Sequence, residues 1–564
     1  MEEFRKAASL AKRKQKIKTY MGWVMTLCFA LIFLWIISHQ PTPNALTTPA
    51  DAISSADPAT FRIVAESEVK TLQDAGILDD FTKETGIKLT LNYRGPVDIR
   101  NAVSKLGKDN PKTVDAYWPG SSLWLPGSAE VSPVSVMKTY VVLAVDPVTA
   151  GELGWDPAKG ITAADLVDAI QSGKINLAMT SASQSTPGAA FYLAMYTALS
   201  GKRVLTSNDL ANPQATQDLR TMLAGVDRSA QSLNHLIQVF VDDKASGARQ
   251  TNAIVIYESL ATQMNKALIA KGQPPMTIFY VGGATAIADM PLRYVDNDDA
   301  GKLDQYQKLT AFLTRPEIQK RVQALGWRTN PIGMKCDECD PAVFRPDWGI
   351  NTTTEFQEMV FPKSPVTKAA LYQYQALFRK PSFTVYCLDY SPSMNTSGRT
   401  EMIDAMDLLL DQERAAGVSL QATAEDVTVV FGFSSDVRQV GEPVSGNDPA
   451  ALKDLSNQIS GFSMGGGTAM FDCVQNALAY IAGHSDPKYN FSIIALTDGG
   501  SNEGATQSDF ASYYEQQTLN IPVYGIAFGA ADFSQLDQFK MTGGDVYDGR
   551  QDVATAFRLA RGNN

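Results

Sequence analysis

The 564-residue chain reads as a modular α/β protein: one apolar helix near the amino terminus, a long α/β module, and a doubly wound α/β domain at the carboxyl end. Three observations carry that reading. Residues 20–38 form an uncharged apolar run. Residues 61–335 alternate strand-like and helix-like stretches, as βαβ units on parallel sheets do. The runs 383–388 and 491–496 are apolar throughout, like strands buried on both faces, and each is followed by hydroxyl and carboxylate side chains.

The apolar run YMGWVMTLCFALIFLWIIS has roughly nineteen residues, enough at about 1.5 Å each to span a hydrocarbon core of about 30 Å. Arg5, Lys6, Lys12, Arg13, Lys14, Lys16 and Lys18 precede it. The positive-inside rule then puts residues 1–19, a basic tail, in the cytoplasm, and everything after the run outside. A cleaved signal peptide is the rival reading. The run is long for one, however, and no small-x-small site follows it closely. Cys28 lies mid-run after Met25-Thr26-Leu27, a poor lipidation box. The expectation is an uncleaved single-pass anchor in a cell membrane. Residues 39–60, rich in Pro, Thr, Ala and Ser, read as a tether.

From Phe61 the texture changes. A strand is expected over 61–65, a helix over 69–85 closed by Gly86, a strand over 88–93 and a helix over 98–106. The wording here resembles that of extracellular solute-binding proteins. "FRIVAESEVKTLQDAGILDDFTKETGIKLTLNY" is similar to their opening strand, helix and strand, and "VDAYWPGSSLWL" to the strand and loop that follow. "KTYVVLAVDP" resembles the first crossover between lobes, and "LTAFLTRPEIQKRVQALGWRTN" the closing helix pair. The resemblance implies a bilobal module of the type II periplasmic-binding-protein kind over 61–335, with a ligand in the interlobe cleft. Candidate ligand residues lie where loops leave strands: Ser67, Ser121, Ser122, Ser183, Thr186, Tyr257 and Glu258. Residues 183–186 precede Pro187 at an expected helix start, where free N–H groups and the helix dipole favour an anion. The plainer reading is that serine and threonine there only cap the helix. Trp118 and Trp124 suit either stacking on a ligand or core packing.

A connector follows over 336–380. It opens with Cys336 and Cys339, for which an oxidised structural clip is expected outside the membrane. It ends in a helix over 367–379 expected to pack against the first strand of the last domain. Cys387 and Cys473 read as buried, inert thiols.

Residues 381–561 contain Asp389-Tyr390-Ser391-Pro392-Ser393, then Gly467-Thr468, then Thr497-Asp498-Gly499. Side chains just past the carboxyl ends of parallel strands converge on one crevice. These supply only oxygen donors, which suit a hard divalent cation. The segment resembles the von Willebrand factor A domain, whose metal-ion-dependent adhesion site reads DxSxS, then threonine, then aspartate. Residues 465–472, 521–529 and 543–547 are similar to that family's glycine-rich turn, late core strand and approach to the last helix. The resemblance implies a Rossmann-like domain with Ser391, Ser393 and Thr468 as metal ligands, Asp389 and Asp498 acting partly through water, and Mg²⁺, Mn²⁺ or Ca²⁺ as the ion. Pro392 departs from the glycine many bacterial members carry, and it removes no ligand oxygen. The competing reading is that these hydroxyls merely cap helices. Neutral hydroxyl ligands leave the ion electrophilic and open to a partner's carboxylate, which is adhesion rather than bond-breaking.

Composition narrows the function classes. A net charge of -11 argues against nucleic acid. The three histidines, His39, His235 and His484, are scattered, which disfavours a histidine metal cluster or a catalytic triad. No phosphate-binding loop motif is present. The expectation is a non-enzymatic, membrane-anchored binding protein in the bacterial cell envelope. It would engage an acidic group on a protein partner and possess a cleft for a small-molecule or anionic ligand. The alternative is the solute-binding component of an ABC transporter, with the last domain as a dock.

Overall fold

This computed structural model describes residues 60–561 apart from 108–109, 231, 331, 396, 464, 528–532 and 551–552. The expected anchor and tether lie outside the described residues. Among those described, no helix is long and apolar enough to cross a membrane.

The first module has two lobes. Strands β1 (Thr60–Ala65), β2 (Lys88–Tyr93), β3 (Ala116–Trp118) and β4 (Val134–Ser135) belong to the first. The chain then crosses into β5 (Thr139–Val145), β6 (Leu177–Ala178), β7 (Val226–Arg228), β8 (Ala253–Tyr257) and β9 (Thr277–Phe279) of the second. It returns to the first lobe at β10 (Pro291–Tyr294). The sheet orders are β2-β1-β3-β10-β4 and β9-β5-β8-β6-β7. Parallel pairing holds for β1 with β2 and β3, but β10 runs antiparallel to β3, and β5 antiparallel to β8 and β9. The sheets are therefore mixed, correcting the all-parallel expectation. Each strand at which the chain changes lobe enters its new sheet from the opposite side.

The helix expected over 69–85 is two helices, Lys70–Asp74 and Ile77–Thr85. Gly76 breaks it by adopting φ 70°, a left-handed conformation cheap only for glycine. The next helix is Pro96–Val103, starting earlier than expected because proline suits a first helical turn. In the connector, Cys336 and Cys339 are joined in a disulfide with 5.3 Å between their Cα atoms. The helix Ser364–Gln373 runs into a π-helical turn, Tyr374–Phe378. This stretch packs its apolar side chains on the first module, not on the last domain. Tyr374 lies edge-on to Tyr192, and Leu371 and Phe378 join the core of that module.

The last domain follows at once with β11 (Ser382–Asp389), β12 (Val427–Phe433), β13 (Val437–Gln439), β14 (Val444–Ser445), β15 (Asn490–Thr497), β16 (Val523–Ala527) and β17 (Val546–Asp548). Their order is β13-β12-β11-β15-β16-β17, with β14 also on β12. β11, β12, β15, β16 and β17 are parallel, and β13 is an antiparallel edge. Successive residues of β11 serve opposite faces: Val385 and Cys387 join one apolar core, Tyr386 and Leu388 the other. Cys387 and Cys473 are free and buried.

The second lobe docks on the amino-terminal ends of these strands. Arg228 donates to the Gly543 carbonyl at 2.7 Å, just before β17. Asn520, just before β16, exchanges hydrogen bonds with Arg249 and Ala248. Gln184 donates to the Val418 carbonyl at 3.3 Å, and Ser183 to Gln375 at 3.2 Å. The carboxyl ends of the same strands face away from this joint.

Candidate functional site

β11 is buried along its whole length and pairs with β12 and β15 in parallel, so it ends in the middle of the sheet. That placement puts Asp389 at the floor of the crevice, with no exposed surface. Its Oδ1 accepts from the Ser391 amide at 2.7 Å, and its Oδ2 from the Thr497 hydroxyl at 2.6 Å. Ser391 Oγ lies 2.9 Å from Ser393 Oγ, which donates to Asp498 Oδ1 at 2.8 Å. Asp389, Ser391, Ser393 and Asp498 thus form one hydrogen-bonded chain. Ser391 and Asp498 are buried and Ser393 is exposed, so the chain opens to solvent at one point. Burial pushes the Asp389 carboxyl up to about 6; the hydrogen bonds from Ser391 and Thr497 oppose that rise, and the charge of Asp498 adds to it.

Thr468 stands in the adjoining loop, just before the helix Met470–Gly483. Its amide donates to Asn502 Oδ1 at 2.9 Å, and its carbonyl accepts from the Asn502 amide and the Ser501 hydroxyl, each at 3.0 Å. The loop carrying Thr468 is therefore tied to the loop that follows Asp498. A third loop joins them: Ser435 Oγ accepts from the Gly467 amide at 2.6 Å. Gly466 has φ 116°, and a Cβ there would lie 2.1 Å from Ser435 Oγ, so only glycine fits. Thr497, Asn502, Ser501 and Ser435 were not expected as part of the site. A parallel register, not a local pattern, brings them in.

The donor set fits a hard cation. With metal–oxygen distances of about 2.0–2.1 Å, neighbouring oxygens of an octahedron lie roughly 2.9 Å apart. The Ser391–Ser393 separation of 2.9 Å equals that edge, though it is also an ordinary hydrogen-bond length, and Asp498 stands one hydrogen bond further out, 2.8 Å from Ser393. Among the described residues, no three His, Cys, Asp or Glu side chains gather as a metal site.

The cleft candidates have mostly other partners. Ser121 caps the short turn at Ser122–Trp124 and is wholly buried. Ser122 donates its amide to Asp289. Ser183 turns towards the connector, and Tyr257 lies buried in the core. Glu258 is fully buried in a two-point ion pair with Arg328, 2.8 Å at each contact, and also accepts from Tyr280. Trp118 and Trp124 are wholly buried and donate to the Met290 carbonyl and the Thr186 hydroxyl. Ser67 alone of the candidates lines the interlobe cavity, a space of ≈ 20 Å³ shared with Glu68, Asn234 and Trp327. That is room for about one water.

At the start of the helix Thr186–Leu199, where an anion is expected, stands a buried carboxyl group of the chain itself. Glu66, from the end of β1, places its two carboxylate oxygens 2.9 and 2.8 Å from Thr186 Oγ1. Burial and the charge of Glu68 push Glu66 well above the usual carboxylate range, while the Gly120 amide and the Thr186 hydroxyl pull it back.

Residues 61–328 match the family model described as bacterial extracellular solute-binding protein. Among solved structures, iron-bound HitA from Pseudomonas aeruginosa is 15% identical, with 55% of this chain and 97% of that chain covered at a TM-score of 0.39. IdiA (FutA) from Trichodesmium, in complex with iron and citrate, is 14% identical over 56% of this chain and 98% of that one, at 0.38. A von Willebrand factor type A protein from Catenulispora acidiphila is 18% identical over 33% of this chain and 42% of that one, at 0.28. The chain thus covers less than half the length of that last protein. No curated protein matches the chain. The first module is of the extracellular solute-binding type. The last domain is a mostly parallel sheet with its oxygen-rich motifs at the carboxyl ends of the strands.

Proposed function

We propose that the chain is an extracytoplasmic binding protein that grips an acidic group on a partner protein through a divalent cation at the crevice of the last domain. The observation that carries this is the run of oxygens from Asp389 through Ser391 and Ser393 to Asp498, spaced 2.8–2.9 Å along its hydroxyl links. Ser391, Ser393 and Thr468 would hold the ion directly, while Asp389 and Asp498 orient the hydroxyls and act through water. Bound there, Mg²⁺ (or Mn²⁺ or Ca²⁺) would supply an electrophilic position for a partner's carboxylate. The exposed Ser393 marks the side from which that carboxylate enters. The role is binding, not catalysis, and residues 20–38 would hold the protein to the membrane as a single span.

The test is partner capture by the wild-type protein in Mg²⁺, in chelator, and by Asp389→Ala. Capture should need the metal and vanish in the variant while the circular dichroism spectrum stays unchanged. Equal capture in all three would refute the proposal. The family match favours a second reading, delivery of a solute to an ABC transporter. Solute-dependent stabilisation without any metal requirement would support that reading.

A further inference from the structure

We infer that Glu66 is the cleft's built-in clasp: its buried carboxyl group bonds the Thr186 side chain at the start of the helix Thr186–Leu199 and ties the two lobes together. This rests on the solute-binding reading of residues 61–328 and not on the metal crevice.

The helix Thr186–Leu199 belongs to the second lobe. Its N-cap, Ser185, makes no side-chain cap, and Pro187 has no N–H. The amides of the first turn therefore leave a positive end that wants an acceptor. Glu66 comes from the first lobe and is 3% exposed. It reaches Thr186 with both oxygens and lies against Gly120. Trp124, also of the first lobe, donates to the same Thr186 hydroxyl at 2.6 Å. An entering carboxylate or oxoanion would need these same three groups. Gly120 shows how tightly they are held: a Cβ there would lie 3.0 Å from Glu66 Oε2 and 3.1 Å from Thr186. Burying a carboxyl group is unfavourable unless its hydrogen bonds are replaced, and here the Thr186 hydroxyl of the opposite lobe supplies one. Glu68 beside Glu66 repels a second anion. Removing the Glu66 side chain would leave a socket for a monocarboxylate the size of formate or acetate, bounded by Thr186, Trp124 and the Gly120 amide.

Hydrogen–deuterium exchange on the full-length protein tests this, comparing wild type, Glu66→Ala and Glu66→Gln in sodium chloride, formate and acetate at equal ionic strength. Wild type should protect residues 118–124 and 186–190 without any added solute and gain nothing from formate or acetate. Glu66→Ala should exchange there at least tenfold faster and recover with formate or acetate but not chloride. Glu66→Gln keeps the volume and should exchange at least threefold faster, so it decides the matter even if the alanine variant does not fold. Wild-type protection that rises with acetate as much as the variant's, unaltered exchange in Glu66→Gln, or a folded Glu66→Ala that acetate does not restore would each overturn the inference. Saturable stabilisation of both wild type and Glu66→Ala by one solute would overturn it too, while leaving the solute-binding reading standing.

Discussion

At the level of single residues, Thr497 is the side chain on which the crevice most depends without itself being a proposed ligand. Its hydroxyl holds one oxygen of Asp389 at 2.6 Å. Partners of that kind fix ligand orientation, and their loss typically weakens metal binding about 10–100-fold. Thr497→Val should therefore lower Mg²⁺ affinity about tenfold by titration calorimetry, with the fold retained, and Thr497→Ser should restore it. Equal affinity in the valine variant would show that Asp389 needs no such support. The triplet containing Thr497 stands out in the sequence, but its role does not. It follows from the pairing of Leu388 with Leu496, which sets Asp389 one step further along beside Thr497. A pairing across more than a hundred residues leaves no trace in local spacing. Glu66 is a similar case: its hydrogen bond to Thr186, 120 residues away and on the other lobe, leaves no mark in the local spacing.

Between elements, Asp426 is the carboxylate that gathers the strand starts of the last domain. Lying just before β12, it accepts from Arg379 at 3.0 Å, from the amide that begins β11 at 2.8 Å and from the Thr423 amide at 2.8 Å. Arg561, at the end of the helix Val553–Arg561, lies 3.5 Å away. Burial works against the charged form, but the two guanidinium groups win and hold the carboxyl well below its usual range. A carboxyl with a lowered folded pKa adds stability above its unfolded value of about 3.9, and that stability is lost as pH falls towards the folded value. Urea unfolding should accordingly weaken between roughly pH 5 and pH 2, and Asp426→Asn should flatten that slope. At neutral pH the same variant should lose about 3–5 kcal/mol, because two buried cations lose their partner. A variant with the wild-type acid slope would remove Asp426 from this role. Apolar runs located the strands of this domain well, since strands buried on both faces are apolar throughout. The 69–85 stretch was read as one helix because its apolar spacing continues across Gly76; only the sign of φ there separates one helix from two.

For the whole molecule, the joint between the second lobe and the last domain decides whether the modules act as one body. Arg228 is buried, and its charged hydrogen bond to the Gly543 carbonyl is worth about 1.5–3 kcal/mol by the usual measure. Arg228→Ala should speed amide exchange at residues 520–523 and 543–546 while leaving β11 protected. Unchanged exchange at those sites would mean the joint is held elsewhere. The sequence gives no hint of this contact, and the reason is chemical. Arg228, Arg249, Gln184 and Gln375 all reach backbone carbonyls, at Gly543, Asn520, Val418 and Gln421, and the one opposite-charge side-chain pair across the surface among the described residues, His235 with Asp545 at 3.8 Å, joins residues 310 positions apart.

That joint also fixes how the last domain would carry a mechanical load. The second lobe holds the starts of the strands, and the crevice lies at their ends, roughly 26 Å away along the eight residues of β11. A tug from a partner gripped at the crevice would run along the strands, between Asp389 and the Gln375–Ser382 segment. The ladders of β11 with β12 and β15 would then be strained in shear, many hydrogen bonds at once, instead of being peeled apart one by one. Under tension the domain would resist as a rope does, along its fibres.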